Sequence, residues 1–135
     1  MADTFQFELV APEKLLLSEQ ALEVQLPGSE GYLTVMANHA PTMTRLMPGV
    51  VRVKIAGKDE KAFVVFGGFA DITPQSCAIL AEAAHPLEAF DPAELEERIA
   101  AAKAELDGAT NDDHRNRAED FLNELTTVRG VLTMA

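Results

Sequence analysis

The sequence predicts an all-β N-terminal sandwich or barrel followed by a C-terminal antiparallel α-helical hairpin, with domains at residues 1–86 and 87–135. Three observations carry this reading. Apolar residues recur at every second position as far as about residue 84 and at helical spacing after residue 91. Turn chemistry cuts the first part at short intervals, as in sandwiches and barrels. Charge shifts at the same place: residues 1–86 hold 10 acids and 6 bases, and residues 87–135 hold 12 and 5.

The strands can be justified in order. "TFQFELV" sets Phe5, Phe7 and Leu9 on one face, "ALEVQLP" sets Leu22, Val24 and Leu26, and "VVRVKI" sets Val51, Val53 and Ile55. "PGSEG", "PG" at 48–49, "AGKDE", "GG" at 67–68 and "TPQS" supply the turns. "AGKDEKAFVV" predicts a hairpin turning at Gly57. "FVVFGGFADI" is apolar on both faces, and its paired Gly67 and Gly68 predict a sharp bend or a crossing between sheets. No lysine with serine or threonine follows them, so they make no phosphate loop.

The helices follow. "DPAELEERIAAAKAELDG" opens with Asp91 as N-cap, Pro92 at the first helical position and Glu94 three residues after the cap. Leu95, Ile99, Ala102 and Leu106 then share a face, and Gly108 marks the stop. After the polar "ATNDD", a second helix is expected from Asp112 to about Arg129, with Ala118, Phe121, Leu122, Leu125 and Val128 on its apolar side. Two such helices are marginal alone and need a partner surface, which makes the hairpin a candidate for detachment.

Bulk properties exclude several functions. A net charge of −11 argues against nucleic acid or an anionic lipid surface as a partner. No apolar run is long enough to span a bilayer. The opening "MADTFQFELV" lacks the basic flank and apolar core of a secretion signal, so the chain is expected to stay where it is made. The single cysteine, Cys77, cannot form an internal disulfide and reads as a buried structural thiol.

Chemistry candidates are few. His39, in "ANHAPT", has neither a nucleophile elbow nor an acid at a diagnostic spacing, so it reads as a hydrogen-bonding or contact residue. His39, His85 and His114 lack metal-ligand spacing, and no metal site is expected. Adjacent acids such as Glu96 and Glu97, or Asp112 and Asp113, splay around a helix and read as solvated. No catalytic residue and no cofactor is expected; the pattern points to binding or coupling.

"LPGSEGYLTVMANHAPTMTRLMPGVV" followed by "FVVFGGFADI", in a β-domain trailed by a two-helix hairpin, resembles the epsilon subunit of bacterial F-type ATP synthase, whose mitochondrial counterpart is called delta. The likeness spans the whole chain, with P-G-x-x-G, N-H-A-P, L-x-P-G and G-G-F in the family's order. It implies a sandwich of about ten strands and a helical hairpin, in a non-catalytic rotor subunit of the central stalk. Its partners would be gamma, the c-ring and the alpha and beta subunits of the catalytic head. Its association with the cytoplasmic face of the bacterial inner membrane would be peripheral, through the complex. The resemblance makes Ser29, Glu30 and Tyr32 candidates for contact with the c-ring. It puts His39 and Pro41 on a matching loop at the same end of the sandwich.

Two family properties depart here. Some relatives bind ATP through Ile/Leu-Asp-x-x-Arg-Ala; in "FDPAEL" only Phe90 and Asp91 occupy its first two positions, Glu94 stands where arginine is needed and Leu95 where alanine is. An anion in place of a phosphate-pairing cation argues against ATP binding. Related hairpins can extend and inhibit ATP hydrolysis, their basic second helix meeting an acidic segment of beta. This second helix sets Arg115, Arg117 and Arg129 against Asp112, Asp113, Glu119, Asp120 and Glu124, so weak inhibition is expected. The alternative reading is a free-standing β-sandwich adaptor or regulator with a helical tail.

Overall fold

The computed structural model describes residues 3–134, with side chains to residue 132. The chain forms two compact units, Met1–Ala89 and Phe90–Ala135. In the first, the described residues form nine strands: β1 (Phe5–Ala11), β2 (Lys14–Gly28), β3 (Gly31–Val35), β4 (Thr42–Leu46), β5 (Gly49–Ile55), β6 (Lys61–Val65), β7 (Gly68–Thr73), β8 (Ser76–Ala81) and β9 (Ala84–Pro86). A short 3-10 turn, Leu87–Ala89, follows and packs against β6.

The strands make two layers that share β2. One runs β1, β8, β7, β4; the other runs β3, β2, β5, β6, β9. β2 is 15 residues long, pairing with β1 through its first half and with β3 and β5 through its second. It does the work of two strands, which is why nine strands stand where about ten were expected. The parallel pairing of β1 with β8 brings the N-terminal strand beside the late one.

The alternation places the core as expected for β1 and β5: Phe5, Phe7 and Leu9, with Val51, Val53 and Ile55, are buried between the layers. In β2 the expected face is only partly right. Val24 and Leu26 are buried, but Leu22 is not, and Ala21 takes its place in the core. The cause is a bulge. Ala21 opposes Ile55 and Glu23 opposes Lys54, leaving Leu22 as the extra residue and flipping the phase of the strand. Among the described residues no polar or charged side chain is buried.

Gly67 and Gly68 carry the chain from one layer to the other. β6 pairs with β5 and β9, whereas β7, starting at Gly68, pairs with β4 and β8. The crossing is held by Phe66 N–H donating to Ala83 O at 3.0 Å and Glu82 N–H to Gly67 O at 3.1 Å. The β5–β6 hairpin turns at Gly57 as expected, and Lys58 Nζ at its tip meets Glu19 Oε1 at 2.8 Å.

The second unit holds α1 (Pro92–Asp107) and α2 (Asp112–Met134). Asp91 is the N-cap, its Oδ1 accepting from Ala93 N–H at 2.9 Å. Gly108 ends α1 with φ of −89°, so its stop does not draw on the left-handed region. α2 runs past the expected end at Arg129, because one glycine, Gly130, costs a helix only about 1 kcal/mol and no proline or capping signal follows. Leu95, Ile99, Ala102, Ala118, Leu125 and Val128 are buried, while Phe121, expected on the same stripe, stays 41% exposed.

Candidate functional site

The β2–β3 hairpin turns in two residues, Ser29 and Glu30, between the closing pair Gly28 and Gly31. Both turn residues are exposed. Ser29 N–H donates to Thr44 Oγ1 at 3.4 Å, and the two hydroxyls lie 3.3 Å apart. Tyr32, on β3, is 54% exposed, yet its hydroxyl accepts from Val50 N–H at 3.1 Å. This tip is a tethered turn.

His39 and Pro41 sit elsewhere. They belong to the loop 36–41, which leaves the far end of β3, so a five-residue strand about 17 Å long at ~3.3 Å per residue separates them from Ser29 and Glu30. The expectation that both loops share one end of the sandwich is therefore corrected. A hairpin strand must enter and leave at opposite ends, and β3 lies between the two motifs. The loop is ordered by Asn38 N–H donating to Pro74 O at 2.8 Å, which ties it to the β7–β8 turn. His39 Nδ1 lies 2.7 Å from Ala40 O, a local bond that orients the ring without an acid or nucleophile beside it.

Asp91 is exposed and caps α1 through Oδ1, which accepts from Ala93 N–H. Among the described residues no three or more His, Cys, Asp and Glu gather to hold a metal ion. Cys77 faces the core; burial first, and then the negative charge of Asp71, push its thiol from 9.0 up to about 12. The folded chain keeps a proton that the unfolded chain releases near 9. The resulting stability is complete below pH 9 and is lost as pH rises from there through about 12. Cys77 is expected to stay unmodified by a thiol reagent at pH 8 and to react within minutes after unfolding in guanidinium; labelling of the folded chain would contradict this.

The most extended feature was missed from the sequence. On the outer face of the first layer, register pairs Arg45 of β4 with Phe69 of β7, Phe69 with Leu80 of β8, Leu80 with Val10 of β1, and Val10 with Leu15 of β2. Paired residues project to the same side, so Phe69, Leu80, Val10 and Leu15 form a row across four strands. Phe69 is 55% exposed, Leu80 57% and Leu15 58%, and Met43, two residues from Arg45 on the same face, is more exposed still. A shallow groove bounded by Phe69, Leu80 and the β1–β2 turn runs along it. A contiguous apolar row on an outer face marks a surface that associates. The one signal in the sequence was "FVVFGGFADI", apolar on both faces.

Known proteins resemble this chain over both units. Residues 4–87 match the family described as ATP synthase, Delta/Epsilon chain, beta-sandwich domain. The ATP synthase epsilon chain of Brucella anthropi is 55% identical over 135 residues, covering all of both chains. A chain in the cryo-EM structure of the Euglena gracilis mitochondrial ATP synthase aligns with a TM-score of 0.74 at 24% identity, covering 96% of this chain and 81% of that one. A chain in the central stalk and c-ring structure of the Tetrahymena thermophila mitochondrial ATP synthase aligns with a TM-score of 0.63 at 14% identity, covering 93% and 96%. The two structural likenesses concern the fold.

Proposed function

This chain belongs to the ATP synthase delta/epsilon chain family, as a non-catalytic subunit of the epsilon type, and from that membership we propose how it engages the rotor. The sandwich docks on gamma through the outer apolar row of Phe69, Leu80, Val10 and Leu15. The Ser29–Glu30 tip meets the polar loops of the c-ring, and the loop with His39 and Pro41 serves a separate contact. Torque passes from the ring to gamma through a β-domain in which, among the described residues, no buried polar side chain softens the core. Association with the cytoplasmic face of the bacterial inner membrane runs through the complex; among the described residues no helix is long and apolar enough to cross a membrane.

The observation that carries the docking assignment is the row itself, because Phe69, Leu80 and Leu15, large apolar side chains left half in water on three strands, stabilise the molecule only when something covers them. Isolation of the chain together with gamma and the c-ring from detergent extracts is the expected result. A chain that stays monodisperse outside such a complex would sink the reading.

The hairpin is assigned a weak role in hydrolysis. Residues of α2 carry five acids and three arginines; Arg129 is already engaged with Glu96 at 3.3 Å, and Arg117 Nε donates to Asp113 O at 3.4 Å. An acidic target on the catalytic head is repelled by such an arm. Removing residues 90–135 is expected to change the hydrolysis rate of the assembled enzyme by less than about twofold; a several-fold rise would show that the hairpin inhibits after all.

A further inference from the structure

Among the described residues β3 pairs with β2 alone, so the tip that it shares with β2 stands at the edge of its layer. An edge hairpin under lateral load twists unless side chains brace it. Here bracing comes from an unusual place. The β2–β5 ladder runs as far as Gln25 opposite Arg52. Two residues further on, Pro27 has no N–H to offer, and its carbonyl is taken by Met47 N–H at 2.9 Å. Val50 N–H donates to the Tyr32 hydroxyl, which reaches across from β3, at 3.1 Å.

The fit around that hydroxyl is tight. A Cβ on Gly49 would stand 2.8 Å from both the Tyr32 hydroxyl oxygen and Pro27 Cβ, so residue 49 has no room for a side chain while the phenol occupies this position. At the turn itself, Ser29 N–H donates to Thr44 Oγ1 at 3.4 Å, and Thr44 belongs to the other layer. Two side chains from two different strands thus brace the hairpin at its turn and beside it.

We propose that Tyr32 and Thr44 are positioning residues for the Ser29–Glu30 tip, holding it in one orientation against Val50 and Ser29 so that it meets its polar partner on the c-ring already formed. The inference rests on the ring contact proposed above. It changes the role of Tyr32: the hydroxyl serves the fold of the tip, and only the ring face is offered outward. A preorganised tip loses less freedom on docking than a loose one, which appears as tighter grip and less slip per turn.

Tyr32→Phe removes one oxygen and keeps the ring against Pro27 and Gly49. In the purified full-length chain, amide exchange at Val50, Glu30 and Gly31 is expected to quicken about fivefold, the size of one lost neutral hydrogen bond, with the thermal midpoint lowered by about 4–8 °C. In the reconstituted complex, proton-driven ATP synthesis is expected to fall about two- to fivefold while hydrolysis by the head stays at the parent rate. Thr44→Val, which keeps the shape and removes the acceptor, should move the same readouts in the same direction. Unchanged exchange at Glu30 and Gly31, or unchanged synthesis in both variants, would overturn the proposal. If the parent chain itself fails to isolate with the c-ring, the ring contact fails first and this inference falls with it.

Discussion

Gly68→Ala is expected to destabilise the β-domain by about 4–5 kcal/mol. Its φ is +127°, where an L side chain is strained, and an added Cβ would stand 2.1 Å from Leu80 O and 2.8 Å from Ala81 Cα. Those are backbone atoms of β8, the strand that β7 must pair with through Gly68 opposite Ala81. Strain at such a residue costs about 1–3 kcal/mol. The collision adds to it, because β7 can retreat only by giving up the pairing that starts it. The sum, about 4–5 kcal/mol, is a large share of the 5–15 kcal/mol that holds a typical domain together. Gly31→Ala separates the two causes. Its φ is +122°, but nothing lies within 4 Å of the added Cβ, so it should pay the strain alone and remain folded. Denaturant midpoints of the two variants measure the difference, and equal midpoints would show that the contact with β8 does not matter.

Replacing Phe69 and Leu80 together with aspartate is expected to abolish docking on gamma while leaving the fold intact. Both side chains are more than half exposed, so the folded state loses little when they change, within about 0.5 kcal/mol each. At a covered interface the same change removes two apolar anchors and buries two carboxylates without partners. Each anchor is worth at least about 2 kcal/mol, which multiplies to about 1,000-fold or more in affinity. The reading is a binding titration with purified gamma beside a thermal melt of each variant. An unchanged affinity would place the gamma contact on another face; a collapsed melt would mean that the row is structural. His39→Ala serves as the control, since its loop lies apart from the row and its side chain bonds to Ala40 O within that loop.

The two results differ in how far the sequence anticipates them. The glycine pair stands out in "FVVFGGFADI", because two glycines inside an apolar strand usually mark a bulge, a bend or a close backbone approach. What Gly68 collides with is a property of β8 and appears only once the strands are paired. The row is harder still to foresee. Val10, Leu15, Phe69 and Leu80 look like ordinary strand residues in four separate segments, and only the register aligns them. A bulge after Leu9 even sets Val10 opposite Leu15, so counting by twos along β1 and β2 would have paired the wrong residues. The same kind of bulge at Leu22 moved Ala21 into the core.

Local chemistry by itself determined the period of each segment, the break between a β-domain and a helical hairpin, the Asp91 cap and the glycine crossing, because those depend on residues within a few positions of one another. The whole-chain order of motifs gave the family. Tertiary structure decided which strands lie side by side, and with that everything functional that spans strands. The apolar row depends on it, as do the separation of Ser29 and Glu30 from His39 and Pro41 by the length of β3, and the tie from Tyr32 to Val50. The physical reason is the same in each case: strand pairing is a contact between distant segments, and a shift of one residue in register sends every side chain to the other face.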